Sequence, residues 1–231
     1  MDNKLSIIVP CLNEVTHIER TLLPLQALRQ RGHEVIVSDG GSTDNTSAIA
    51  ALLCDKVISS KKGRAIQMNT GADHANGNIL LFLHADTVAP DNLDELIIDA
   101  LNSKKKCWGR VNVKLSGKHW LFRIIETLMN LRSCLSGIAT GDQGIFLSRQ
   151  LFNELSGFKN ITLMEDIELC MRLNKISRPA CIKKSYLLTS SRRWEQHGIL
   201  KTILLMWTLR LKYFFGASPT QLAQQYNNNG K

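Results

Sequence analysis

An α/β fold, a mostly parallel sheet flanked by helices, is predicted by three observations. Val35, Ile36 and Val37 form a β-branched run that ends in Asp39-Gly40-Gly41, after which Ser42, Thr43 or Asp44 can cap a helix. Ile79 to Leu83 is wholly apolar, as a strand covered on both faces must be. Apolar runs of strand length alternate with segments of helical periodicity, the order that builds a parallel sheet.

Leu5 to Val9 reads as the first strand, followed by a helix over about 14–30, the Val35 strand, a helix over 43–53 and a short strand near Val57. A helix over 64–75, the strand at 79–83 and a helix over 93–101 continue the alternation. Beyond residue 107 the pattern changes to a longer strand over 108–115, amphipathic helices and a strand over 144–147, which suits an acceptor-binding half. Nothing resembles a linker, so 231 residues are expected to form a single domain. Within it, two halves over about 4–115 and 116–195, an amphipathic helix over 196–216 and a tail over 217–231 are expected. Asn227 to Lys231 reads as disordered.

The chain opens into a strand with no basic leader and contains no apolar run long enough to cross a bilayer, so a cytoplasmic location is expected. The six cysteines, at 11, 54, 107, 134, 170 and 181, show no paired or metal-binding spacing and are expected to be reduced core residues. A formal net charge of +9 implies an anionic partner, which nucleic acid, a membrane surface or a phosphorylated substrate would each satisfy. The run Lys104-Lys105-Lys106 suits the C-terminal end of a helix, where it complements the dipole in solvent.

Asp39 stands where ligands bind in open α/β sheets, outside the carboxyl end of a strand. A carboxylate there accepts hydrogen bonds from a base or ribose and repels phosphate, so it suits the nucleoside end of a nucleotide. The same segment also reads as an ordinary strand-turn-helix with a capping acid. Leu81-Phe82-Leu83-His84-Ala85-Asp86-Thr87 delivers an imidazole and a carboxylate two residues apart. Strand alternation puts them on one side, where they suit a divalent cation that neutralises a diphosphate; the plain alternative is an acid capping the helix after Pro90.

Ser6 to Glu14 (SIIVPCLNE), Val37 to Thr46 (VSDGGSTDNT), Lys62-Gly63-Arg64-Ala65 and Leu83 to Thr87 together resemble the family 2 glycosyltransferases, over about residues 4–195. The resemblance implies a GT-A fold, a nucleoside-diphosphate sugar donor, usually a UDP-sugar, and a divalent cation, Mn²⁺ or Mg²⁺. It assigns Pro10, Asn13, Glu14 and Asp39 to the nucleoside, with Asp39 reading the base, and Arg64 to donor positioning. The family's metal motif is Asp-x-Asp, and this chain has His84-Ala85-Asp86. The metal role therefore passes to Asp86, and His84 is either a nitrogen ligand or a sugar contact. His197 is a further candidate ligand.

Asp166, in Met164-Glu165-Asp166, matches the aspartate of the family's Glu-Asp pair, which removes the acceptor proton. Glu165 is then a metal or orienting neighbour and Glu168 a surface residue, while Asp142 and Gln143 contact donor sugar or acceptor hydroxyls. Ser190-Ser191-Arg192-Arg193-Trp194 is similar to a Gln-x-x-Arg-Trp element without its glutamine. There Arg192 or Arg193 would meet the diphosphate, and Trp194 would stack on a sugar or lipid.

Leu200, Leu204, Trp207 and Leu211 share one face of a final helix, with Ile203, Phe214 and Phe215 widening it. Packing against the domain is the usual fate of such a face; a dimer contact and shallow insertion in an anionic membrane are the alternatives. Trp120 to Ile125 offers a second apolar face. The expected activity is inverting glycosyl transfer to a hydroxyl or carboxyl acceptor, with a lipid or lipid-linked acceptor at the cytoplasmic membrane face as one reading. A sugar-phosphate nucleotidyltransferase and a methyltransferase are disfavoured, because both need a glycine-rich first turn where Pro10-Cys11-Leu12-Asn13-Glu14 stands. The non-enzymatic rival is a basic scaffold that binds membrane or nucleic acid, the latter being the weaker reading.

Overall fold

The structure is a computed structural model that describes residues 3–103 and 106–228. Strand β1 (Leu5–Cys11) leads through the short helices α1 (Ile18–Leu22) and α2 (Gln26–Gln30) to β2 (Glu34–Asp39). Then follow α3 (Thr46–Leu53), β3 (Lys56–Ser59), α4 (Arg64–Asp73), β4 (Ile79–Phe82), the two-residue β5 (Thr87–Val88) and α5 (Leu93–Ser103). The second half runs β6 (Trp108–Leu115), α6 (Trp120–Ser136), a 3₁₀ turn at Gly141–Gln143, β7 (Ile145–Ser148), α7 (Arg149–Glu154), α8 (Glu165–Asn174) and β8 (Ala180–Thr189). It closes with α9 (Arg192–His197), α10 (Ile199–Phe214) and α11 (Pro219–Asn228).

The eight strands form one sheet in the order β3-β2-β1-β4-β7-β6-β8-β5. β3, β2, β1 and β4 run parallel to one another, whereas β7 runs antiparallel to both β4 and β6. β8 lies parallel to β6, with an irregular register between Val111 and Asn112, and β5 runs antiparallel along its edge. Strand alternation fills two cores. Ile7, Val9, Val35, Val37 and Leu81 face one, with α1, α2 and α5, and Ile8, Ile36, Leu80 and Phe82 face the other, with α4, α7 and α8.

Several elements depart from expectation for local reasons. The helix expected over 14–30 is two short ones, because Pro24 lacks the N–H that would continue α1. α3 begins at Thr46 rather than residue 43, since the Asp44 carboxylate accepts the Thr46 N–H at 3.0 Å and its hydroxyl at 2.5 Å. The expected tail over 217–231 holds helix α11, with Leu222 buried against Met164, Ile167 and Leu209; of the run expected to be disordered, Asn227 and Asn228 are helical and residues 229–231 lie outside the described residues. Lys104 and Lys105 of the basic run also lie outside them. Two cysteines are not reduced: Cys134 on α6 and Cys181 on β8 form a disulfide with Cα atoms 6.0 Å apart, a pairing across 47 residues that spacing cannot reveal. Cys11, Cys54, Cys107 and Cys170 are free.

The final helix also corrects the packing expectation. Its buried side is Thr202 and Leu209, and the Leu200, Leu204, Trp207 and Leu211 face stands in solvent, with Trp207 69% exposed. Phe214 and Phe215 are more exposed still. α6 presents a matching row, Trp120, Ile124, Leu128, Leu131 and Leu135. No described helix is long and apolar enough to cross a membrane.

Candidate active site

The end of the site expected to take a nucleoside lies at the carboxyl termini of β1 and β2, where Cys11 and Asp39 are register partners. Asp39 is buried; its carboxylate accepts the Ser42 N–H at 3.0 Å and the Ser42 hydroxyl at 2.5 Å, and the Cys11 thiol approaches at 3.5 Å. Burial alone would raise this carboxyl, but the hydrogen bonds from Ser42, Ser47 and Cys11 outweigh it and hold it below the usual range. Pro10 is buried within β1 opposite Ser38.

Asn13 adopts a left-handed backbone (φ +55°), which turns its N–H onto Ser42 Oγ and its side-chain oxygen onto the Thr43 N–H, both at 2.9 Å. Gly40 is required by a close approach, since a Cβ there would meet the Gln67 amide at about 3 Å. That amide donates to the carbonyls of Cys11 and Ser38, tying both strand ends together.

Beside this crevice opens a cavity of about 890 Å³ into which Glu14, Arg64, His84, Asp86, Asp142, Glu165, Asp166, Arg192, Arg193, Trp194 and His197 all project. His84 and Asp86 belong to the turn between β4 and β5, because β4 ends at Phe82 rather than Leu83. The His84 ring is packed against Gly141, where an added Cβ would lie 2.2 Å from Nε2, and that nitrogen is buried without a hydrogen-bond partner. Burial and the Arg64 charge push the imidazole down to about 3, so it is neutral at physiological pH.

The Gly141 N–H donates to Asp166 Oδ2 at 2.8 Å, and the Ile167 N–H to Oδ1 at 2.7 Å. Met164, in a left-handed conformation at φ +69°, starts α8 and swings Glu165 and Asp166 to the cavity. Arg64 pairs with buried Glu165 at 3.5 Å. Burial and the neighbouring Asp166 nevertheless raise the Glu165 carboxyl. Asp142 is also raised, by burial first and then Asp166, and its Oδ1 is buried without a partner.

The basic segment surrounds the other rim. Arg192 reaches His17 Nε2 at 2.8 Å and Glu14 at 3.7 Å, and burial raises the Glu14 carboxyl, with Asp86 adding to it against the pull of Arg192. Arg193 lies over the Tyr226 ring, 3.5 Å from its centre, so α11 covers it. Trp194 packs with Leu115, Phe122 and Ile125 at one edge of the cavity.

Two expectations do not hold in this geometry. Gln143 is fully buried, its amide donating to Ser133 Oγ at 2.9 Å and to Asn130 Oδ1 at 3.3 Å, so it braces the turn below Asp142 and does not face a sugar. Glu168 is buried in ion pairs with Arg172 and Lys159, not a surface contact, because it lies on the inner face of α8.

No group of three or more His, Cys, Asp and Glu side chains suited to a metal occurs among the described residues, so His197 completes no protein-only site. Asp86, with the neutral and unpartnered His84 nitrogen in the same cavity, fits instead a cation that takes its remaining ligands from phosphate oxygens and water. Sequence reasoning missed Arg132 and Arg210, which also line the cavity. The available signal was the single arginine interrupting each apolar helix face.

A parallel sheet extended by antiparallel strands, with acids gathered beyond its carboxyl ends, defines a glycosyltransferase of GT-A type. The chain belongs to glycosyl transferase family 2, whose model matches residues 6–155. An uncharacterized glycosyltransferase of Mycobacterium tuberculosis is 29% identical over 191 residues, covering 77% of this chain and 71% of the relative. The Staphylococcus aureus poly-β-1,6-N-acetyl-D-glucosamine synthase is 23% identical, covering 74% of this chain but 45% of its own length. Among solved structures, a Pyrobaculum calidifontis mannosyltransferase in complex with GDP-Man and Mn²⁺ superposes with TM-score 0.69 at 19% identity, over 98% of this chain and 69% of that one. S. aureus TarS 1–349 in complex with UDP-GlcNAc gives TM-score 0.66 at 17% identity, over 81% of this chain and 58% of that one. This chain therefore spans less than two thirds of TarS 1–349 and under half of the synthase.

Proposed function

We propose that this glycosyltransferase moves a sugar, with inversion, from a UDP-sugar to the hydroxyl of an amphiphilic acceptor at a membrane surface. The observation that carries the reading is the convergence of Asp86, Asp142, Glu165 and Asp166 with Arg64 and Arg192 on one cavity beside the Asp39 crevice. Asp39 and Asn13 hold the nucleoside, and Arg64 and Arg192 face the diphosphate with the bidentate geometry suited to phosphate oxygens. A divalent cation, Mg²⁺ or Mn²⁺, bound through Asp86 would neutralise charge on the departing diphosphate.

Asp166 takes the acceptor proton on Oδ1 or Oδ2, its orientation fixed by the N–H groups of Gly141 and Ile167. The acceptor oxygen attacks the anomeric carbon from the face opposite the diphosphate, so a single displacement inverts the centre. Such a base contributes roughly a hundred- to ten-thousand-fold. The unpartnered Asp142 oxygen is a ready acceptor for a sugar hydroxyl. The exposed apolar rows of α6 and α10 support an acceptor that reaches the cavity from a lipid surface.

A thermal-shift panel of nucleotides and nucleotide sugars, with and without Mn²⁺, tests the donor assignment. Stabilisation by a UDP-sugar that grows with Mn²⁺ is expected, and no shift with any nucleotide would refute it. Asp166→Asn should abolish turnover while donor affinity stays within about twofold; wild-type turnover in that variant would remove Asp166 as the base.

A further inference from the structure

Part of the cavity wall is made by α6 and α10, and on each helix one set of lining residues shares the same spacing. Leu128, Arg132 and Leu135 line it from α6, and Ile203, Trp207 and Arg210 from α10, each set at positions i, i+4 and i+7. Each helix thus turns an apolar stripe with one guanidinium toward the same space. The stripe continues outward into the exposed rows ending at Trp120 and Phe214.

Neither arginine is fully used by the fold. Arg132 donates from Nη1 to the Ile138 carbonyl at 3.1 Å, while its Nη2 is buried with no partner. Arg210 Nε is likewise buried with no partner. Among the described residues neither guanidinium has a carboxylate within 4.0 Å. The nearby acid Asp142 is itself pushed toward its neutral form by burial. Burial and the opposing Arg210 charge lower Arg132 to about 10, which still leaves it protonated at neutral pH. Two like charges held together and part-buried, neither with an ion pair of its own, are costly unless a further anion joins them.

Arg64 lies in the field of Glu165, Asp166 and Asp86, whereas Arg132 lies in that of Arg210, Asp142 and Asp166. Asp166 is common to the two sets, so the base stands between a donor cluster and a second cationic cluster. The ligand of the second cluster is then the partner in the reaction. We propose that Arg132 and Arg210 form an anion subsite for the acceptor, which is an amphiphile carrying a phosphate group next to the hydroxyl that is glycosylated, its apolar part lying between α6 and α10. This rests on the glycosyltransferase reading above and adds the chemical class of the acceptor.

The test uses the full chain saturated with UDP and Mn²⁺, so that the donor site is filled. Octyl phosphate, inorganic phosphate and octyl glucoside are then titrated calorimetrically. Octyl phosphate should bind at least tenfold more tightly than either of the others, since the first control lacks the tail and the second the charge. Arg210→Gln should weaken octyl phosphate at least tenfold, leaving octyl glucoside and UDP within about twofold. Arg132→Gln should act in the same direction, and because Arg132 also holds the Ile138 carbonyl, its melting temperature is measured alongside. Equal binding of octyl glucoside and octyl phosphate, or unchanged octyl phosphate binding in both variants, would overturn the subsite. Equal binding of inorganic and octyl phosphate would overturn the amphiphile and leave a soluble phosphorylated acceptor. Failure of the wild type to bind UDP refutes the donor reading separately, and the octyl phosphate titration still decides the subsite.

Discussion

Gly141 and Asp166 are joined by a 2.8 Å hydrogen bond from the glycine N–H to the carboxylate, while the α-carbon of the same glycine lies against the His84 ring. One residue without a side chain thus positions the candidate base and closes over the imidazole next to the metal candidate. A Cβ at this position would sit 2.2 Å from His84 Nε2, so Gly141→Ala must push the ring or the turn away. Overpacking of this kind costs about 1–3 kcal/mol. We expect Gly141→Ala to lower kcat at least tenfold, with UDP affinity measured by calorimetry changing much less. Unimpaired kcat would show that this contact does not set the geometry of Asp166.

The buried His84 ring should be neutral across the physiological range. Its ring protons are expected to show no titration in NMR spectra between pH 5 and 8, whereas exposed histidines titrate near 6.5. Its folded value, about 3, lies below the unfolded value, so the unfolded chain binds the proton first and stability falls as pH drops from about 6.5 toward 3. This one group contributes at most about 1.4 kcal/mol per pH unit in that window. The raised carboxyls of Asp142 and Glu165 act in the opposite sense, favouring the folded state as they take up protons. Unfolding midpoints of wild type and His84→Gln between pH 7 and 5 isolate the histidine contribution, and the variant should lose less stability. A ring that titrates near 6.5 would contradict its burial.

The Cys134–Cys181 disulfide should be visible as four alkylatable thiols, not six, when the protein is denatured without reductant. It ties the last turn of α6 to the sheet across 47 residues, and a loop of that length gives at most about 4 kcal/mol on a chain-entropy basis. Reduction should therefore lower the melting temperature of the wild type and not that of Cys134→Ser. Six reactive thiols in protein purified without reductant would count against the bond.

The apolar faces of α6 and α10 should bind anionic liposomes, with exposed Lys201 and Lys118 beside them adding attraction to the surface. Flotation of the protein with such vesicles is expected, and it should fall at least fivefold in Trp207→Asp/Phe214→Asp. Wild-type protein that stays at the bottom of the gradient would remove membrane contact from the proposed function.

Much of the first half of the chain was legible because its signals are local. The β-branched run at 35–37 and the apolar run at 79–82 became central parallel strands, and the Asp39 turn lies at the sheet's carboxyl edge as its glycines implied. Pro24 was an equally local signal for dividing the first helix. The second half was harder to read because its logic is tertiary. Gln143 and Glu168 are ordinary polar residues until packing buries one under Asp142 and pairs the other with Arg172. Arg132 and Arg210 are 78 positions apart in sequence, and their partnership exists only because α10 folds back beside α6. The disulfide was invisible for the same reason.

Met164 gives the fold one further consequence. Its side chain is buried with Ile167 against Leu209 and Leu222, while its strained backbone carries Glu165 and Asp166. The segment that bears both carboxylates is therefore seated on the inner side of α10, whose outer side is apolar and exposed. A displacement of α10 would therefore be felt, through Met164 and Ile167 together, at the segment that bears Glu165 and Asp166, so the exposed face of that helix and the acids of the cavity are mechanically coupled.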